Sequence, residues 1–71
     1  MSQQKRILNY LKQGNELTRL NCWEQLGILE APARISELRA EGHHIHTEMI
    51  TIRNKYGEKV RIAKWTLKGR N

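Results

Sequence analysis

Aspartate is absent from this 71-residue chain, cysteine and proline occur once each, and the apolar residues never run together for more than a few positions. A lone Cys22 can close no internal disulfide and offers no second thiolate for zinc, so nothing here marks an oxidising compartment, and a cytoplasmic protein is expected. The short apolar runs exclude a signal-peptide core or a membrane span within the sequence. Low-complexity tracts and internal repeats are also missing, and Pro32 sits among alanines instead of in a linker, so residues 1–71 read as one domain. There is no glycine-rich phosphate loop, no Ser/His/Asp arrangement and no carboxylate pair in a catalytic setting. An enzyme, a cofactor and a small-molecule substrate are therefore not expected, and a chain of 8.4 kDa has little room for a catalytic cleft.

What the chain has in excess is positive charge. Thirteen Lys and Arg stand against seven Glu, a formal net charge of +6 with a pI near 10.0. That balance belongs to proteins that meet phosphates or another anionic surface. The excess is uneven. Residues 1–41 carry six basic and five acidic side chains, whereas residues 42–71 carry seven basic ones against only Glu48 and Glu58. The strongest anion contact is expected in the last thirty residues.

Periodicity divides the chain in the same place. Ile7, Leu8 and Leu11 recur at helical spacing between a capping Ser2 and Gly14, which predicts a first helix. Thr18 can cap a second helix of about two turns, with Leu20, Cys22, Trp23 and Leu26 facing inward and Gly27 ending it. A third helix is expected over 30–41, with Pro32 in its first turn and Gly42 as its stop. Beyond Gly42 the period changes to two and β-branched residues accumulate, predicting two strands joined near Asn54–Glu58. A three-residue loop of Lys55, Tyr56 and Gly57, with Gly57 left-handed, would pair residues whose numbers sum to 112. One face of that hairpin then carries Ile45 opposite Leu67, Thr47 opposite Trp65 and Met49 opposite Ala63. The other carries Glu48 with Lys64, Ile50 with Ile62 and Ile52 with Val60.

Three short helices with a glycine turn between the second and third, followed by a basic hairpin, are the layout of a winged helix-turn-helix, an α+β fold with a two-stranded wing. The sequence resembles small winged helix-turn-helix proteins of bacteriophages and prophages through Gly14–Thr18, Trp23–Ile28, Ala33–Gly42 and the closing Lys64–Leu67. Arg-Ile-Ser-Glu-Leu-Arg-Ala-Glu-Gly at 34–42 is the most specific of these pieces. The resemblance implies a transcriptional regulator or recombination accessory factor that binds double-stranded DNA in a bacterial or phage-infected cell.

The residues give their own reason for DNA. At 100° per residue Ile28, Ala31, Ile35 and Leu38 share one side of the third helix, leaving Ala33, Ser36, Glu37 and Ala40 outward with Arg34 and Arg39 beside them. Small side chains let a helix enter the major groove, so Ala33, Arg34, Ser36 and Glu37 are the expected base readers. Arg53, Lys55, Lys59 and Arg61 gather at the hairpin tip, with Tyr56 beside them, as expected phosphate contacts. Lys5, Arg6, Arg19, Lys68 and Arg70 are weaker candidates for flanking contacts. Ile50, Ile52, Val60 and Ile62 form an apolar wing face for which two readings stay open: a homodimer or head-to-tail contact, or a twist that carries them into the core. His43, His44 and His46 are expected at a solvent-facing strand start instead of around a metal ion. Cys22, Trp23 and Trp65 are expected in the core. The alternative function is a protein-interaction module docking on an acidic protein or nucleoprotein surface.

Overall fold

The computed structural model describes residues 2–68, in the order α1 (Gln3–Lys12), β1 (Leu17–Thr18), α2 (Arg19–Leu26), α3 (Ala31–Ala40), β2 (Ile45–Arg53) and β3 (Lys59–Leu67). Local signals set the helix ends. The Ser2 hydroxyl accepts from the Lys5 amide at the start of α1. Thr18 and Asn21 form a reciprocal capping box on α2, each side chain accepting from the other's backbone amide. Gly27, at φ +70°, turns the chain out of α2 in the left-handed region that a side chain disfavours, and Ile28 follows it fully buried. That pair makes the turn of the helix-turn-helix: the glycine reverses the chain and the isoleucine plugs it into the core.

The core gathers Ile7 and Leu11 from α1, Leu17 from β1, Cys22 from α2, Ile28 from the turn, Ala31, Ile35 and Leu38 from α3, and Ile45 and Trp65 from the sheet. Burial pushes the Cys22 thiol above its ordinary pKa, which keeps it protonated and unreactive. In the hairpin every pair from Ile45↔Leu67 to Arg53↔Lys59 follows the expected register. The loop closes through Asn54 N–H to the Glu58 carbonyl at 2.9 Å, and Gly57 sits at φ +79°. The Asn54 side chain locks that loop by accepting from the Tyr56 and Glu58 amides and donating to the Glu58 carboxylate.

Two expectations are corrected, and for the wing quartet the structure speaks against one of the two open readings. Leu17, expected in the link before α2, and Thr18, expected there only as a cap, also form a third strand against Trp65 and Lys64, giving the sheet order β1-β3-β2. Two residues are too few to show an alternating pattern, so only the partner strand reveals them. Leu20 and Trp23 do not face inward: they are 55% and 54% exposed. An eight-residue helix touches the core along a narrow stripe, and Cys22 and Leu26 fill it. The wing quartet Ile50, Ile52, Val60 and Ile62 stays outside the core, with Val60 exposed and the isoleucines half-buried against one another's strand.

The two tryptophans thus have opposite standing, which unfolding in urea can read. Trp65→Ala is expected to cost about 3 kcal/mol, by the cavity it leaves. Trp23→Ala is expected to cost no more than about 1 kcal/mol, as an exposed position. Equal losses would place Trp23 in the core after all.

Candidate nucleic-acid interface

Helix α3 has three functional sides. Ala31, Ile35 and Leu38 face the core, and Ala33, Ser36 and Ala40 form an exposed ridge opposite them. The third side faces α1. There Arg34 and Glu37, both expected to point at bases, hold each other: Arg34 Nη2 donates to Glu37 Oε2 at 3.1 Å, and Arg34 Nε lies 3.1 Å from Oε1. Gln4 of α1 also donates to the Glu37 carboxylate, and Glu30 stands 4.0 Å from Arg34. With its side chain only 25% exposed, Arg34 is held along the helix flank instead of reaching off the ridge. The geometry is ordinary i,i+3 neighbourhood. A sequence shows that such a pair can form, but not that α1 will supply a third member and hold it.

Toward the wing, α3 borders a groove of about 440 Å³. Pro32, Ser36 and Arg39 form one wall, Thr47, Met49, Arg61 and Ala63 the other, and Arg19 closes the end from the first turn of α2. Arg39 is structural: its guanidinium donates to the Ile45 carbonyl at 3.1 and 2.8 Å and to the Thr47 hydroxyl, tying the end of α3 to β2. Arg19 and Arg61 make no hydrogen bond or ion pair with the described residues. Both are exposed cations lining a partly apolar groove in which Met49 is 49% exposed. Sequence reasoning placed Arg61 at the wing tip and Arg19 among flanking candidates, and missed Met49. Period-two alternation puts Met49 and Arg61 on one face, but only the packed sheet shows that this face looks toward α3.

The other expected phosphate contacts lie further out. Arg53 and Lys59 are directly paired at the end of the ladder, and Arg53 is partly spent on the Gly57 carbonyl at 2.7 Å. Lys55 sits over the Tyr56 ring, 5.3 Å from its centre, and Tyr56 is 76% exposed. The wing is therefore two-faced beyond Met49. Thr51, Arg53, Lys59 and Arg61 occupy the side continuous with the groove, and Ile50, Ile52, Val60 and Ile62 the reverse. Lys64 belongs to that reverse side and bridges Glu48 at 3.3 Å and Glu16 at 3.4 Å. The hydrogen bond that Lys64 donates to Glu48 and the charge of Glu16 raise the Lys64 pKa, outweighing the opposing effect of desolvation. Among the flanking candidates, Arg6 caps the end of α2 by donating to the Leu26 carbonyl at 2.8 Å. Lys5 and Lys68 are exposed, and Arg70 lies outside the described residues. Among the described residues no three His, Cys, Asp or Glu side chains cluster as metal ligands would. No helix formed by them is long and apolar enough to cross a membrane.

A ridge of small residues beside a cationic groove and a projecting basic ribbon is the surface of a winged helix-turn-helix. The sequence profile of a winged helix-turn-helix domain matches residues 2–70. The chain belongs to that family. Winged helix-turn-helix domains are typically non-enzymatic and DNA-binding, and membership of the family supports DNA as a partner. No curated protein and no solved structure matches the chain.

Within this winged helix-turn-helix, Glu37 holds Arg34 along the flank of α3 and away from the small-residue ridge. Glu37→Gln is expected to strengthen binding to any duplex severalfold, beyond the effect of one lost negative charge. In an Arg34→Ala background the gain should shrink, a coupling that a double-mutant cycle measures by fluorescence anisotropy. Equal gains in the two backgrounds would mean that Arg34 is not restrained by Glu37.

Proposed function

We propose that residues 1–71 act as one unit that binds double-stranded DNA sequence-specifically, as a phage- or prophage-type transcriptional regulator or recombination accessory factor. Helix α3 enters the major groove and the wing holds the backbone. The observation that carries this reading is the pair Arg19 and Arg61, which both line the groove between α3 and the wing and make no ion pair with any described residue. A guanidinium left without a carboxylate in a chain that pairs Arg34 and Lys64 is available for phosphate. Met49 and Ala63 between them offer an apolar floor against which deoxyribose can rest.

The ridge supports the assignment of reading to α3. Ala33 and Ala40 clear the way for close approach, and their methyls suit a thymine methyl. Ser36 supplies a hydroxyl that can donate to or accept from a base edge. Arg34 and Glu37 then act from the flank, fixing α3 against α1 and setting the angle of entry. Lys55, Lys59 and Tyr56 at the tip, with Arg53, extend the phosphate contact past the groove. The phage-type role is supported by the 34–42 stretch and the wing closure that resemble such proteins.

Binding selected from a random duplex pool, followed by anisotropy at two salt concentrations, tests this division of labour. Ser36→Ala is expected to lose about 1–3 kcal/mol of preference at one base pair while leaving random duplex unaffected. Arg61→Ala is expected to weaken all duplexes alike and to flatten the dependence of log K on log salt by about 0.9. Selection of no motif would remove the sequence-specific reading. Absence of salt-dependent duplex binding would favour the alternative, docking on an acidic protein or nucleoprotein surface.

A further inference from the structure

The wing has two open edges, and they are not alike. Past the short β1, β3 has no neighbouring strand along residues 59–63, and β2 has none anywhere on its outer side. Two bonds at the ends of the hairpin ladder, Asn54 N–H to the Glu58 carbonyl and Lys68 N–H to the His44 carbonyl, fix which backbone groups point outward. Even-numbered residues of β2 exchange their bonds with β3, so the N–H and C=O groups of the odd-numbered ones face the open edge. Arg39 obeys the same phase, since the edge carbonyl that its guanidinium finds is that of Ile45. Beyond Arg39, which also donates to the Thr47 hydroxyl, the backbone groups of Met49, Thr51 and Arg53 have no hydrogen-bond partner among the described residues.

Strand edges are commonly kept apart by charge, proline or a bulge. The β3 edge has Lys59 and Arg61, and joining it to its own copy crowds these cations. By contrast, β2 runs in unbroken register from Ile45 to Arg53, and Met49, Ile50, Thr51 and Ile52 between Glu48 and Arg53 are uncharged. This stretch is self-complementary. Its open groups are centred on Thr51, so a two-fold axis there sets Thr51 against Thr51, Met49 against Arg53 and, on the reverse face, Ile50 against Ile52.

We propose that β2 pairs antiparallel with β2 of a second copy of this chain about Thr51, joining the two wings in one continuous sheet. Every open group from Met49 to Arg53 is then satisfied, and each Ile50 and Ile52 gains an apolar cross-strand neighbour. Directly opposite residues of antiparallel strands share a face, so both grooves and both α3 helices look to the same side of the joined sheet. Charge allows this arrangement. The two Arg53 positions lie four residues apart along the strands and the two Arg61 positions three strand spacings apart across them, in each case about 14 Å against a screening length of about 8 Å. The pairing rests on the sheet alone; only its use by two copies on one duplex rests on the DNA reading.

Because a contact along one strand is small, disulfide trapping is the sensitive test. Ile50→Cys and Ile52→Cys are oxidised separately and as an equimolar mixture, without DNA, and the products are identified by mass; Cys22 is fully buried and does not compete. In this register Ile50 and Ile52 of opposite copies have Cα atoms about 4.5 Å apart, within disulfide reach, whereas like positions are diagonal at about 7–8 Å and beyond it. The mixed disulfide is therefore expected to form at least about tenfold faster than either like-with-like disulfide. Val60→Cys, on the same face but one strand further from the axis, is expected not to link. Sedimentation velocity at high protein concentration gives a second readout. Ile50→Lys and Ile52→Glu are each expected to associate severalfold more weakly than the wild type, and their mixture to recover, because the new cation and the new anion fall opposite each other. Circular dichroism and urea unfolding verify that each variant is folded. Like-with-like disulfides as fast as the mixed one, linking through Val60→Cys at a comparable rate, or no linking by any variant overturns the proposal. None of these readouts involves a duplex, so their failure is separate from a failure of DNA binding.

Discussion

The angle between α3 and the wing is held at Trp65. This residue sits in β3 between Leu17 of β1 and Thr47 of β2, 5% exposed, at the point where the helical core becomes the sheet. A two-stranded ribbon alone is marginally stable and free to swing. Here the short β1 grips one side of β3, and Arg39 reaches from the end of α3 to the Ile45 carbonyl and Thr47 on the outer strand. The ribbon is thereby fastened at its base from both edges. Without that fastening the groove cations would have no fixed spacing, and a row of phosphates has one.

The thirteen basic side chains divide by what the fold has already done with them. Arg6, Arg39 and Lys64 are consumed in building the molecule: one caps α2, one ties α3 to β2, and one bridges Glu16 and Glu48 on the side away from the groove. Arg34 is held by Glu37. Among the remaining described cations, Lys55, Lys59 and Arg61 lie on the wing, Arg19 at the start of α2, and Lys5 and Lys12 on α1. A net charge of +6 understates this asymmetry, because the seven glutamates are not spread evenly either. Glu30 and Glu37 stand against Arg34, and Glu16 and Glu48 against Lys64.

Amphipathicity appears at two scales. In the helices and the base of the sheet it builds the core, and in the distal wing it does not, since among the described residues Ile50, Ile52, Val60 and Ile62 stay outside the core cluster. A ribbon that projects from a small domain has two solvated faces, and an apolar one among them costs solubility unless it meets something. The same holds for Trp23 and Leu29. A domain of this size has too little interior to bury every large side chain, and where the excess is placed is informative about contacts.

Much of the architecture was legible in the residues themselves. Ser2, Thr18, Gly27 and Gly42 mark helix ends by local hydrogen bonding and backbone preference, and the change of period after Gly42, with Gly57 at the turn, determines the hairpin and its register to the residue. These signals act over a few positions, so a sequence contains them whole. The small-residue ridge of α3 was legible for the same reason. Only the tertiary structure decided the rest: that Leu17 and Thr18 make a strand, that Trp23 lies outside while Trp65 lies inside, that Glu37 holds Arg34 while accepting from Gln4, and that Arg19 and Arg61 line one groove with Met49. Each of these depends on which distant segment arrives alongside, and periodicity along one element carries no record of its neighbours.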